Sequence, residues 1–251
     1  RTTGKKITPA FLMSKFKSFI PNEGLLTNIS KDRDYYDAIS SRVTIYDDIH
    51  DARKMINIIE SWFKANGKFV KDDTGKMVYV PNNTNLYVLG LFDHIGLLAG
   101  QPTLFAAIAY LSKELVRLRN IYQFSPVVIQ QQAMASESLD AVKQNRIEPT
   151  TDNLADNKQT ARDANYIFGI PNPYTYAHMR TRTYKGYDVN LFRDNIRFIE
   201  IIRSRHGGVG KILPLLFDGG VADIIELPLP SDKKAIEALL KRKRLWRTKS
   251  R

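Results

Sequence analysis

The feature that most constrains this chain is the run Leu86-Tyr87-Val88-Leu89-Gly90-Leu91-Phe92, almost wholly apolar and ended by Asp93. A run this short and this apolar predicts a strand buried on both faces, as in a parallel sheet covered by helices. Parallel neighbours cannot be joined by a hairpin, so a crossover must follow. The sequence supplies one. From about Thr103 to Ile121, Leu104, Ile108, Leu111, Leu115 and Leu118 recur on one helical face, and Pro126-Val127-Val128-Ile129 then repeats the apolar strand before Gln130-Gln131-Gln132. Strand, helix, strand predicts an α/β fold with a mainly parallel sheet flanked by helices.

Other segments attach to this unit. Pro9 to Phe19 carries an apolar helical face, and Arg42-Val43-Thr44-Ile45-Tyr46 reads as a short strand. Met55, Ile58, Ile59, Trp62 and Phe63 predict a helix over 51–65, stopped by Asn66-Gly67. Phe69-Val70 and Met77–Val80 flank Asp72-Asp73-Thr74-Gly75, a hairpin pattern. Residues 134–160 form a long polar loop, a kind usually tied to function. Tyr166–Gly169 reads as a strand and 171–195 as turn-rich and aromatic. Phe198–Ile202, Gly210–Phe217 and Ile224–Glu226 read as C-terminal antiparallel strands, with a tight turn at His206-Gly207-Gly208. The chain divides into a main domain over 1–231 and a basic helical tail over 232–251.

Lys and Arg number 38 against 26 Asp and Glu, a net charge of +12. Such a balance favours polyanions: nucleic acid, nucleotide or anionic lipid. The absence of cysteine excludes a disulfide scaffold, a Cys-ligated zinc site and a Cys nucleophile. No apolar run reaches the length of a membrane span. With no signal-peptide pattern, a cytoplasmic protein without a membrane partner is expected. The chain starts at Arg1, and a fragment or processed product is the expectation.

In open α/β sheets, ligands bind at the carboxyl ends of the strands. Asp93 and Gln132 are both expected on that edge. An acid there can hold magnesium through water, and an amide can sense a γ-phosphate. Arg203 and Arg205, spaced i, i+2, share one face of a strand. Their guanidinium forks suit phosphate and can neutralise charge on a transferred phosphoryl group. Plainer roles stay open: Asp93 as a cap, His94 as a structural histidine rather than a base, Gln131 in place of Gln132, and the arginines facing solvent or paired with acids. Lys143, Arg146, Lys158 and Arg162 would bring cations to the phosphates of single-stranded DNA, in contacts weakened by salt. Tyr174, Tyr176, Tyr184 and Tyr187 either stack bases or pack an insertion onto the domain.

Taken in order, these segments resemble the C-terminal motor domain of DnaB-type replicative helicases. Leu86–Leu98 is similar to the family's Walker B strand, with Asp93 at the acid position. Ser125–Ser136 resembles the strand PVVALSQLSR, with Gln132 on its glutamine. Asp152–Asn165 aligns without a gap with SDLRESGSIEQDAD, matching at Leu154, Asp163 and Ala164. Ile201–Gly210 resembles IIGKQRNGPIG, placing Arg203 on the lysine and Arg205 on the arginine finger. Phe217-Asp218-Gly219 matches the strand end that follows. The likeness covers roughly Arg42 to Ala222.

The resemblance implies a RecA-like P-loop NTPase core and an ATP- and Mg2+-dependent motor on single-stranded DNA. It also implies a homo-oligomeric, six-membered ring in which the finger serves a neighbour's nucleotide, and a phage or mobile-element replication role. Asp93 would place magnesium and water, Gln132 would couple the γ-phosphate to the DNA loop, and Arg205 with Arg203 would contact phosphate. The phosphate loop GxxxxGK[ST] is absent from the sequence, so this portion of a motor is expected to bind ATP poorly by itself. Gly207–Lys211 has the wrong spacing and lies in a hairpin. Ala155 and Lys158 replace the Arg and Gly of the family's DNA-loop motif. Two other classes remain: a RecA-type ATPase of recombination or packaging, and a non-catalytic nucleic-acid-binding relative.

Overall fold

The computed structural model describes Arg33 and residues 37–131, 148–154, 158–220 and 222–248. The helix expected over Pro9–Phe19, Gln132, and the loop cations Lys143 and Arg146 lie outside the described residues. The chain forms two compact units, one from Asp47–Gly169 with Glu200–Lys211, the other including Ile170–Ile199 and the chain from Ile212 onward.

The first unit opens with helix α1 (Ala52–Ala65). The Asp51 carboxylate accepts hydrogen bonds from the Arg53 and Lys54 amides at 2.8 and 3.1 Å, which satisfies two of the amides a helix leaves unpaired at its start. The hairpin of β1 (Gly67–Lys71) and β2 (Met77–Pro81) follows, in the expected place and in register Lys71 to Met77. Its turn is held by Asp72, whose carboxylate accepts from the Thr74 amide and hydroxyl and from the Lys76 amide. Tyr79 then donates its hydroxyl to the Phe63 carbonyl at 2.8 Å. This fastens the hairpin to the end of α1. A glycine is required at position 67, because a Cβ there would lie 2.3 Å from that hydroxyl.

Strands β3 (Leu89–Phe92) and β4 (Ser125–Val128) pair in parallel, with α2 (Leu104–Tyr122) between them in sequence. Thr103 caps α2, and Gln123 takes a left-handed conformation that turns the chain into β4. The core joins Ile56 and Phe63 of α1 to Ile108, Leu111, Leu115 and Leu118 of α2. Phe63 stacks on Tyr122 with ring centroids 4.5 Å apart. The expected strand–helix–strand unit is therefore present.

Two expectations fail here. The apolar strand is buried on one face only: Leu89 and Leu91 are 61% and 62% exposed. The helices pack on the opposite face, and the parallel sheet has just two strands among the described residues. Arg42–Tyr46 forms no strand, since no described strand lies beside it to complete a ladder. The parallel character of the fold rests on the β3–β4 pair and an isolated parallel bridge between Asp51 and Ala99; the Gly67–Lys71 and Met77–Pro81 hairpin and the pairings of Tyr166–Gly169 with Ile196–Ser204, of Thr183–Tyr184 with Tyr187–Asp188 and of Ile212–Asp218 with Asp223–Glu226 are antiparallel.

Helix α3 (Gln159–Asp163) and strand β5 (Tyr166–Gly169) complete this unit together with the end of β8 (Ile196–Ser204). β5 runs antiparallel to β8, with Tyr166 opposite Ser204 and a bulge between Ile167 and Phe168.

The second unit contains the short hairpin β6 (Thr183–Tyr184) and β7 (Tyr187–Asp188), helix α4 (Val189–Phe192), and the first residues of β8. It also holds β9 (Ile212–Asp218), β10 (Asp223–Glu226) and helix α5 (Lys233–Thr248). Within it β9 pairs antiparallel with β10, Asp218 opposite Asp223. Tyr184, Tyr187, Val189, Phe192, Ile196 and Phe198 are buried here. Tyr187 donates to the Pro228 carbonyl at 2.7 Å. Tyr184 and Tyr187 are thus packing residues, and the base-stacking alternative for this pair is overturned. The expected C-terminal helix is present as α5, started by Asp232, whose carboxylate accepts from the Ala235 amide.

Two measurements test this packing. Leu118→Ala, at a fully buried position, should destabilise the protein by about 2–5 kcal/mol in urea denaturation. Arg117 bridges Glu60 of α1 and Glu114 of α2, and its hydrogen bond to Glu60 holds that carboxyl below its usual range. The folded state therefore gains stability above the unfolded-state value and loses it as the pH falls through the depressed one. Denaturation midpoints between neutral and acidic pH should show a shallower acid loss for Glu60→Gln than for the unsubstituted chain.

Candidate functional site

Asp93 follows β3 directly. Phe92 is opposite Val128, the Ile129 amide donates to the Phe92 carbonyl at 2.9 Å, and the Ile95 amide donates to the Ile129 carbonyl at 3.2 Å. Asp93 therefore lies level with Ile129, one residue before Gln130, at the carboxyl edge where α/β folds bind ligands; by strand alternation Asp93 shares the exposed side of Leu91 and Gln130 the covered side of Val128. Asp93 is exposed. Its carboxylate has no hydrogen-bond or ion-pair partner among the described residues. The short helical turn that follows, Ile95–Leu97, begins at His94 without a side-chain cap, so Asp93 is not used as one.

Gln130 is the amide that the sequence reading passed over. Its Oε1 accepts a hydrogen bond from the Thr160 hydroxyl at 2.7 Å, which ties the end of β4 to α3. Strand alternation carries the signal that finds it. Val128 packs against the core while Val127 and Ile129 are exposed, so Gln130 shares the covered side of Val128. Gln131 is exposed, and the favoured Gln132 lies outside the described residues.

Helix α3 is anchored from three directions. From α2, the nearly buried Ser112 hydroxyl donates to Asp163 at 2.7 Å, and Arg119 donates to the Asn165 side chain at 3.2 Å. From β4 comes Gln130. From β8, Arg203 donates to the Ala161 carbonyl, and the Arg205 Nη2 donates to the Arg162 carbonyl at 2.6 Å. The Arg205 amide also donates to the Asn165 carbonyl at 3.0 Å. Carbonyls at a helix C-terminus lack intrahelical donors and carry partial negative charge, so guanidinium groups suit them. The i, i+2 spacing does bring both arginines to one place, but that place is a pair of backbone carbonyls within the same chain. A guanidinium has five N–H donors, and Arg205 remains exposed, so it keeps donors for a further acceptor.

Of the expected DNA contacts, Lys158 pairs with Asp152 at 2.8 Å, with both side chains exposed. The lysine holds the Asp152 carboxyl below its usual range. Arg162 is exposed on α3, next to Arg205 through the backbone bond just described. The structure thus places Asp93 and Gln130 at adjoining strand ends on opposite sides of the parallel pair, and gathers Arg162, Arg203 and Arg205 about α3, which the Gln130–Thr160 bond ties to the end of β4.

A magnesium ion keeps several waters and needs only one or two protein carboxylates. The free carboxylate of Asp93 fits that demand, and no cluster of three or more metal-binding side chains exists among the described residues. The arginines fit phosphate oxygens. No helix among the described residues is long and apolar enough to cross a membrane.

No family model matches the sequence, and no curated protein matches it. Among solved structures, 19 chains match. One of them, an ATPase domain, superposes with a TM-score of 0.59 at 15% identity, over 90% of this chain and 68% of that one. The protein is a mixed α/β chain that shares the fold of that ATPase domain.

The anchoring of α3 yields a direct test. Asp163→Ala leaves the Ser112 hydroxyl, 8% exposed, without its acceptor, and should cost about 1–3 kcal/mol in urea denaturation. Adding Ser112→Ala should recover most of that loss, because the unpaired donor is then gone.

Proposed function

We propose that this chain is the greater part of a DnaB-like helicase motor, which translocates on single-stranded DNA by hydrolysing ATP at subunit interfaces. The observation that carries the reading is the β3–α2–β4 unit, with an acid at the end of one strand that has no partner among the described residues and, later in the chain, a strand end bearing Arg203 and Arg205. The shared fold with an ATPase domain supports it. Residues 1–231 would act as the motor and 232–251 as a basic tail.

ATP with magnesium supplies the free energy of the cycle, the metal neutralising phosphate charge. The residues of this chain do the rest. Asp93 would hold the magnesium ion, through water, with its carboxylate. Gln130 or Gln132 reports the state of the strand ends to α3 and its loop. Arg205, assisted by Arg203, reaches from one subunit toward the phosphates held by the next, which calls for a ring, here taken as six-membered. Lys143, Arg146, Lys158 and Arg162 meet DNA phosphates. The phosphate loop must come from a segment outside this sequence. The exposed Leu89 and Leu91 face of the parallel pair supports this, since parallel sheets are stable with both faces covered.

One specific observation favours a second reading, a nucleic-acid-binding relative without catalysis: both arginines are already bonded to α3 in the same chain. ATP turnover separates the two. With the phosphate-loop segment restored and single-stranded DNA present, the protein should hydrolyse ATP. Arg205→Ala should abolish turnover while nucleotide binding persists, and Asp93→Asn should abolish turnover as well. Mixing the two inactive variants should recover activity, because some interfaces then pair an intact acid with an intact arginine. Wild-type turnover in Arg205→Ala removes that residue from the mechanism, and a chain that turns over no ATP supports the binding relative.

A further inference from the structure

Arg205 is held at two points. Its guanidinium donates to the Arg162 carbonyl at 2.6 Å, and its backbone amide donates to the Asn165 carbonyl at 3.0 Å. The second bond extends the β5–β8 ladder one step past the pairing of Tyr166 with Ser204. Among the described residues the ladder ends there. His206 turns its amide to the Ser204 hydroxyl at 3.1 Å, and Gly207 and Gly208 follow in left-handed conformations, which glycine adopts without steric cost. Asn165 is therefore the last support beneath the arginine.

Asn165 lies between α3 and β5 and belongs to neither. Its side chain ties it to the packed body of the first unit: the Arg119 guanidinium of α2 donates to Asn165 Oδ1 at 3.2 Å. Arg119 is half-buried and directly follows Leu118, which is fully buried. Its other side-chain acceptor is the Asn120 amide oxygen at 3.4 Å. Arg119, Arg162, Asn165 and Arg205 all belong to that one unit. A continuous line of bonds thus runs from the core helix through Arg119 and Asn165 to the backbone of Arg205.

The two holds on Arg205 differ in what happens when the arginine works. As the guanidinium turns onto a phosphate, its hold on Arg162 loosens, while the bond at its root stays in place. The line through Arg119 and Asn165 is then what aims the side chain. We infer that Arg119 and Asn165 are positioning residues for Arg205, fixing its backbone so that the guanidinium reaches a neighbouring subunit's phosphate in one direction. The inference rests on the motor reading above. Both residues act on the subunit that donates the arginine, not on the one that holds the nucleotide.

The test uses the protein with its phosphate-loop segment restored and single-stranded DNA present. Asn165→Ala removes the acceptor, and Arg119→Met removes the donors while keeping an unbranched stem. Each should lower kcat by about tenfold to a hundredfold, the cost of a misplacement near 1 Å. The affinity for ATP should stay unchanged, because the lost contact is made only in the transition state. Asn165→Asp, which keeps an acceptor for Arg119, should recover most of the loss. Mixing Asn165→Ala with Asp93→Asn should raise turnover above that of either alone, since the Asp93→Asn subunits donate a well-aimed Arg205. Mixing Asn165→Ala with Arg205→Ala should give no rise, since every interface then has a defective arginine. Circular dichroism checks the fold, and if Asn165→Ala unfolds, Arg119→Met takes its place in the mixtures. Unsubstituted-level turnover in Asn165→Ala and Arg119→Met overturns the inference and leaves the motor reading standing. A rise in both mixtures, or in neither, assigns the loss to the folding of α3 and also overturns it. No turnover by the unsubstituted protein overturns the motor reading itself, and this inference with it.

Discussion

The first unit depends on the apolar stripe of α2. Ile108, Leu111, Leu115 and Leu118 are sealed between α1 and the covered face of β3 and β4, and each buried side chain of this size contributes roughly 1.5–3 kcal/mol. Burial of that stripe sets the spacing of the two strands and so presents Asp93 and Gln130 at adjacent strand ends. The polar side of the same helix then positions α3, through Ser112 on Asp163 and Arg119 on Asn165. One helix thus fixes both candidate groups, one by its apolar stripe and the other by its polar flank.

Helix α3 is too short to be stable alone. What keeps it helical is the set of side chains that satisfy its ends and face. Arg203 and Arg205 donate to the carbonyls of Ala161 and Arg162, Thr160 donates to Gln130, and Gln159 donates to Asp163 one turn on. Every one of these ties crosses to another element or spans the helix itself. A displacement of the β4 end or of the β8 end must therefore be felt at α3, and through it at the loop residues that precede it.

The long periodic elements were legible in the sequence. α1, α2, the β1–β2 hairpin and the parallel pair lie close to the expected residues, because an apolar stripe at helical spacing or a turn such as Asp72–Gly75 leaves few alternatives. What misled was inference about covering layers. The run from Leu86 to Phe92 looks doubly buried, yet only one face is covered, and composition cannot say whether a second layer is present. Arg42–Tyr46 has strand-forming residues but no described partner, and pairing is not a local property. Tyr184 and Tyr187 were ambiguous between stacking and packing until Phe198 was found against both rings. At the site, Asp93 was readable as the residue that stops an apolar strand. Gln130 was hidden among three glutamines, and only strand alternation from Val128 separates it from its neighbours.

The engagement of Arg205 with α3 bears on how it would act across the interface that the proposed function requires. Its acceptor is a neutral backbone carbonyl, and the hydrogen bond uses one of five donors. A bond of that kind contributes little net free energy in water-exposed surroundings, whereas a phosphate oxygen offers a charge-assisted bond of roughly twice the strength. An exposed guanidinium resting on a carbonyl is therefore held in direction without being neutralised, as a buried pairing with a carboxylate would have neutralised it. The same bond that orders α3 keeps the arginine pre-set for an anion arriving from outside, and moving it onto that anion would loosen the C-terminal turn of α3. On the proposed motor reading, phosphate contact at Arg205 and the state of the segment that would face DNA become two ends of one equilibrium, coupled through α3.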